Sequence, residues 1–183
     1  MPILGTIASQ VPGKISVGSF ESIATATPNG SDVVFNSIPS TYKHLQIRAI
    51  AKTTRNDASV DSMYFRFNGD TGSNYNVHTS SGNGSSASSS SYPGTTVWGT
   101  WGLTSAQSQS NTFGVVIFDI LDYADTSKYK TTRAIGGSDK NGSGDIGMFT
   151  GLWRNTAAIS SIRIFAEGNY VQNTRIALYG IKG

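Results

Sequence analysis

The alternation of apolar and other residues near the C-terminus constrains this chain more than any other feature. Ile162, Ile164 and Ala166 alternate with Arg163, Phe165 and Glu167, and Ile176, Leu178 and Gly180 alternate with Arg175, Ala177 and Tyr179. A repeat of two places alternate side chains on opposite faces of an extended strand, whereas a helix would repeat its apolar residues every three or four positions. Segments 161–167 and 174–181 therefore read as strands, joined by a short connection through Gly168-Asn169. A sheet that runs almost to the last residue suits a closed, rigid module.

Similar segments recur along the chain, at 20–27, 32–37, 43–53, 62–68, 75–79, 95–103, 112–121, 131–136 and 147–154. Turn signals separate them: Pro28-Asn29-Gly30, Ile38-Pro39, Asn68-Gly69-Asp70 and Asn141-Gly142. Only 14% of residues are charged, against about 25% in an average soluble domain. Glycine (21 residues), serine, threonine and asparagine take their place, as short strands with many turns require. The pattern predicts an all-β fold, a jelly-roll-like two-sheet β-sandwich. Residues 1–15 read as an N-terminal arm or edge strand and 16–183 as one sandwich domain. The one helical turn expected lies at 123–128, and the serine-rich stretch 80–91 reads as a mobile surface loop.

Two segments invite partners. Phe113 to Leu121 is apolar at successive positions, as in a strand covered on both faces. Loops of the same chain would cover the second face, or a neighbouring subunit would; the latter singles out Phe113, Val116 and Phe118 and predicts a homo-oligomer, a trimer or dimer. The N-terminal segment carries Ile3, Leu4, Ile7, Val11 and Ile15 between and beyond two prolines that exclude a continuous helix. It reads either as an edge strand on its own sandwich or as an arm that grips a sister subunit or capsid, with Ile3, Leu4, Ile7 and Val11 as contacts.

Enzymatic and metal chemistry find little footing. There are no cysteines, which excludes disulfides, thiolate zinc sites and cysteine nucleophiles. His44 and His78 are the only imidazoles, and neither lies in a local hydrolase signature. Asp119, Asp122 and Asp125 run from strand into loop and read as turn and cap residues rather than a glycosidase pair. Asp139, Asn141 and Ser143 fall at the first, third and fifth positions of a calcium loop. Thr150 stands where the bidentate glutamate belongs, so a hairpin turn is the better reading. Tyr92, Trp98 and Trp101 could stack on sugar rings. If 97–103 is one continuous strand, however, the two tryptophans face opposite ways. No enzymatic activity, cofactor or metal is expected.

The net charge of +3 comes from scattered lysines and arginines without a basic run, so no nucleic-acid partner is expected. No apolar stretch nears the roughly 20 residues that cross a bilayer, and the N-terminus lacks a signal-peptide pattern. Neither membrane association nor secretion is expected, and assembly in a cytoplasm is.

The closing strands, with Tyr42-Lys-His-Leu-Gln-Ile-Arg, Tyr64-Phe-Arg-Phe-Asn-Gly-Asp-Thr-Gly-Ser-Asn-Tyr and Ile120-Leu-Asp-Tyr-Ala-Asp-Thr-Ser-Lys-Tyr-Lys-Thr, carry a resemblance that spans the chain. In them the chain resembles virion proteins of tailed bacteriophages, many from aquatic and cyanobacterial phages. Their usual labels are virion structural, capsid cement (decoration) or tail-fibre protein. The resemblance implies a structural protein on the particle surface, assembled in the host cytoplasm. A cement protein would bridge subunits of the major capsid protein. The alternative is a tail-fibre or baseplate module that contacts host surface glycan, for which Tyr92, Trp98 and Trp101 are the candidate contacts.

Overall fold

The computed structural model describes residues 19–183 as twelve strands in two antiparallel sheets. The large sheet runs, edge to edge, β1 (Phe20–Ala26), β12 (Arg175–Ile181), β3 (His44–Ala51), β8 (Gly114–Leu121), β9 (Lys130–Asp139), β10 (Gly144–Trp153), β5 (Tyr75–Gly82) and β6 (Ala87–Thr95). The small sheet is β2 (Asp32–Phe35), β11 (Ile162–Phe165), β4 (Val60–Phe67) and β7 (Trp98–Thr104). Setting aside β5–β6 and β9–β10 leaves β1-β12-β3-β8 over β2-β11-β4-β7, the paired four-stranded sheets of a jelly roll. Two extra hairpins continue the large sheet beyond β8. The arm or edge strand expected over 1–15 lies outside the described residues.

One phase of each strand supplies the core. Leu45, Ile47 and Ala49 of β3 and Val116, Phe118 and Ile120 of β8 point inward against Phe65 and Phe67 of β4 and Trp98 of β7. Phe118 sits at the centre, its ring centroid 4.2 Å from that of Phe65 and 4.5 Å from that of Trp98. Such close aromatic contacts tie the two sheets together beyond the area they remove from water.

Three local expectations need correction. Residues 80–91 are not a loop: they form most of the β5–β6 hairpin, with Ser80 paired to Ser89 and Ser81 to Ser88. Asn83 and Gly84 make the turn, the Asn83 Oδ1 accepting from the backbone N–H groups of Ser85 and Ser86. Nearly all of β6 is exposed on both faces, so its sequence lacks the apolar alternation that marks a strand. The chain at 123–128 is a turn closed by Asp125 N–H on the Asp122 carbonyl at 3.0 Å, not a helical turn. The strand at 95–103 starts later, at Trp98, and carries a bulge: Ser62 pairs with Trp101 and Asp61 with Leu103, leaving Gly102 unpaired at φ 131°.

Candidate interaction surface

The outward phase of the large sheet forms three rows that run straight across six strands. The first is Arg175, Ile50, Val115, Gly137, Ile146 and Gly82. The second is Ala177, Arg48, Ile117, Ile135, Met148 and Ser80. The third is Tyr179, Gln46, Asp119, Arg133, Thr150 and His78. Ile50, Val115, Ile117, Ile135, Ile146 and Met148 are each 40–62% exposed. Scattered exposed aliphatics are ordinary, but six in adjoining positions of one sheet face are not. The inserted β9–β10 hairpin contributes half of them.

Polar groups frame this patch. Arg48 lies beside both Phe20 and Tyr179, its guanidinium carbon 5.3 and 5.4 Å from their ring centroids. Its Nε donates to Gln46 Oε1 at 2.6 Å, and Gln46 Nε2 donates to Asp119 Oδ1 at 2.7 Å. Arg133 Nε donates to the other Asp119 oxygen at 2.8 Å. This chain of charge-assisted bonds fixes the third row and orients its charges. Toward the β9–β10 tip, Val115, Ile135, Gly137 and Ile146 line an open apolar hollow of about 910 Å³, with Phe113 at its margin.

The partner residues expected from the 113–121 segment divide by phase. Val116 and Phe118 are fully buried in the core and can touch no partner, a correction that passes the outward role to Val115 and Ile117. Phe113 is half-buried. Ile3, Leu4, Ile7 and Val11 lie outside the described residues. Sequence reasoning missed Ile50, Ile135, Ile146 and Met148 altogether. The phase signal was present in Asp119, which shares the odd-numbered face of β8 with Val115 and Ile117 and so marks that face as outward.

The aromatic trio is also split. Trp98 is fully buried beneath the small sheet and offers nothing to a sugar. Trp101 packs edge-on against Phe149 with centroids 4.5 Å apart, and Tyr92 is exposed on β6. With Tyr64 they border a cleft of about 280 Å³ between β7 and the β5–β6 hairpin, whose polar lining is mostly hydroxyl groups.

Each acidic candidate is occupied by its neighbours. Asp139 Oδ1 accepts from Asn141 N–H at 2.8 Å, and Asn141-Gly142, both at positive φ, turn β9 into β10. Lys140 Nζ holds the Asp145 carboxylate at 3.1 Å, pairing the second acid of the hairpin within the chain. Asp125 caps the turn by accepting from Ser127 N–H at 2.7 Å. Among the described residues no group of three histidine, cysteine or acidic side chains is placed to hold a metal ion, and no helix is long and apolar enough to cross a membrane. His44 Nδ1 accepts from Asp122 N–H at 2.9 Å, and His78 is exposed on the outer face of β5.

Two lysines act on the Asp122 carboxylate. It accepts from Lys128 and meets Lys43 Nζ at 3.0 Å, and these two lysines, Lys128 foremost, hold its pKa down at about 2. The folded value lies below the ordinary 3.8, so the stabilisation is complete above about pH 4 and lost as the pH falls through about 2. Asp122 sits at φ 47°, which asparagine also tolerates. Asp122→Asn is therefore expected to cost about 1 kcal/mol at neutral pH, allowing for solvent around the lysines, and to flatten the acid limb of stability. Urea unfolding followed from pH 2 to pH 7 checks both.

Compared with family models, curated proteins and solved structures, the chain finds no match.

Proposed function

We propose that this protein is a non-enzymatic structural component of a tailed-phage particle, a capsid cement protein that stiffens the shell by burying sheet surface against its neighbours. The observation that carries this reading is the in-register apolar outer face of the large sheet. Covering the exposed half of six aliphatic side chains yields about 1 kcal/mol each, a driving force for protein contact. A rigid sandwich transmits load without a hinge, and many weak contacts on one shell sum through avidity. The resemblance to virion proteins points the same way.

Quantitative mass spectrometry of purified particles tests it. A copy number close to that of the major capsid protein is expected; a few copies per particle, or none, overturns the cement role. The cleft bordered by Tyr64, Tyr92 and Trp101 favours a second reading, a tail-fibre module that holds host surface glycan. Under that reading the copy number is small, and binding of the purified protein to host polysaccharide is lost on Trp101→Ala.

A further inference from the structure

We infer that the outer face of the large sheet is the seat of a second copy of this chain, packed face to face about a two-fold axis that runs along the strands between β8 and β9. This rests on the proposed structural role only in that both concern how the face is covered. An isologous contact demands that a patch be its own complement. This one is. Such an axis exchanges β8 with β9 and β3 with β10 and keeps each row opposite itself. In the first row it lays Val115 of one copy over Gly137 of the other, a side chain over the floor of the apolar hollow. In the second it lays Ile117 over Ile135, and in the third Asp119 over Arg133. Asp119 is buried, with its two oxygens held by Gln46 and Arg133 of its own chain, so the acid–base pair is already neutral within each copy and the third row meets its own image without net charge.

Area supports the same occupant. Six strands about 4.8 Å wide and three rows about 6.8 Å deep give a footprint of roughly 29 by 20 Å, and with the buried Ala177, Gln46 and Asp119 contributing little the contact area is on the order of 500 Å². Two copies would bury about 1,000 Å², the lower bound of a specific interface. Stacked sheets cross at about 30°, so the pairing is closest beside the axis, on β8 and β9, where the complementary residues lie.

Sedimentation equilibrium on the full chain at micromolar concentration tests this. The wild type is expected at twice the 19.4 kDa chain mass. Ile117→Asp is expected to weaken dimerisation at least 100-fold while leaving Tm nearly unchanged, because the side chain faces out. Asp119→Arg and Arg133→Asp, each alone, place like charges across the axis and are expected to be largely monomeric. Mixed in equal amounts they are expected to recover the dimer, because every facing pair is then opposite in sign. A monomeric wild type, a dimer indifferent to Ile117→Asp, or a mixture that stays monomeric overturns the inference. The two readings fail separately. A protein monomeric in solution but abundant in particles sinks only the second-copy assignment, and a dimer missing from particles sinks only the cement role.

Discussion

Gly114→Ala is expected to lower the unfolding free energy by more than about 3 kcal/mol, enough to leave little folded protein at 37 °C. A β-carbon on Gly114 would stand 1.6 Å from the Gly102 carbonyl oxygen and 2.7 Å from its carbonyl carbon. Both are backbone atoms, so no rotamer change relieves the clash. Adjoining contacts are also too short for a side chain: a β-carbon on Gly102 would meet Gly137 N at 2.6 Å, and one on Gly136 would meet Trp101 O at 2.6 Å. At this corner β7 lies directly on the backbones of β8 and β9, with three glycines in place of the usual side-chain layer. To admit a methyl group β7 would have to lift away, taking with it the Thr104 Oγ1 bond to the Thr112 carbonyl at 2.8 Å. Gly30→Ala is the control, because a β-carbon there meets nothing within 4 Å. It is expected to change stability by less than about 0.5 kcal/mol. Urea midpoints of the two variants against wild type decide the matter; a near-neutral Gly114→Ala would show that the sheets do not touch here.

That corner also shows where sequence reading stops. Eleven of the twelve strands announce themselves by alternation or apolar runs, because each has one face in the core. The sandwich and its jelly-roll character follow from their number and spacing. β6 escaped because an edge strand solvated on both faces has no apolar phase to display. The Gly102–Gly114–Gly136 contact escaped because a glycine in a strand looks the same whether it faces water or another backbone. The interaction surface was half legible. Phe113 to Leu121 reads correctly as a strand with two apolar faces; Asp119 is its one polar residue and marks the odd-numbered phase as outward, and the register with β3 and β9 places Val116 and Phe118 in the core. Ile135, Ile146 and Met148 stand alone in glycine-rich strands and join a patch only through cross-strand pairing.

Lys130→Met is expected to cost about 3 kcal/mol or more, although it replaces a charged residue with an apolar one of similar length. Lys130 opens β9 on its inward face and is fully buried. Its ammonium group donates to the carbonyls of Asp125 at 2.5 Å, Lys128 at 3.0 Å and Thr156 at 3.0 Å, which uses all three of its protons. Burial pushes its pKa below the ordinary lysine value, against a partial restoring pull from Asp125. The group serves as a tie between the β8–β9 connection, which supplies two of the carbonyls, and the β10–β11 connection, which supplies the third. Methionine fills the space and satisfies none of the three oxygens, so each either stays unpaired or draws in water and loosens its loop. Arginine restores the charge but presents a planar fork where three donors must diverge, so Lys130→Arg is expected to recover less than half of the loss. Guanidinium unfolding measures the cost, and hydrogen exchange locates it. Faster exchange is expected at Ser127 and Ala157, whose N–H groups are held by Asp125 and Asn155 within the two tied connections. Lys130→Met with wild-type stability would mean that these carbonyls are satisfied without the lysine.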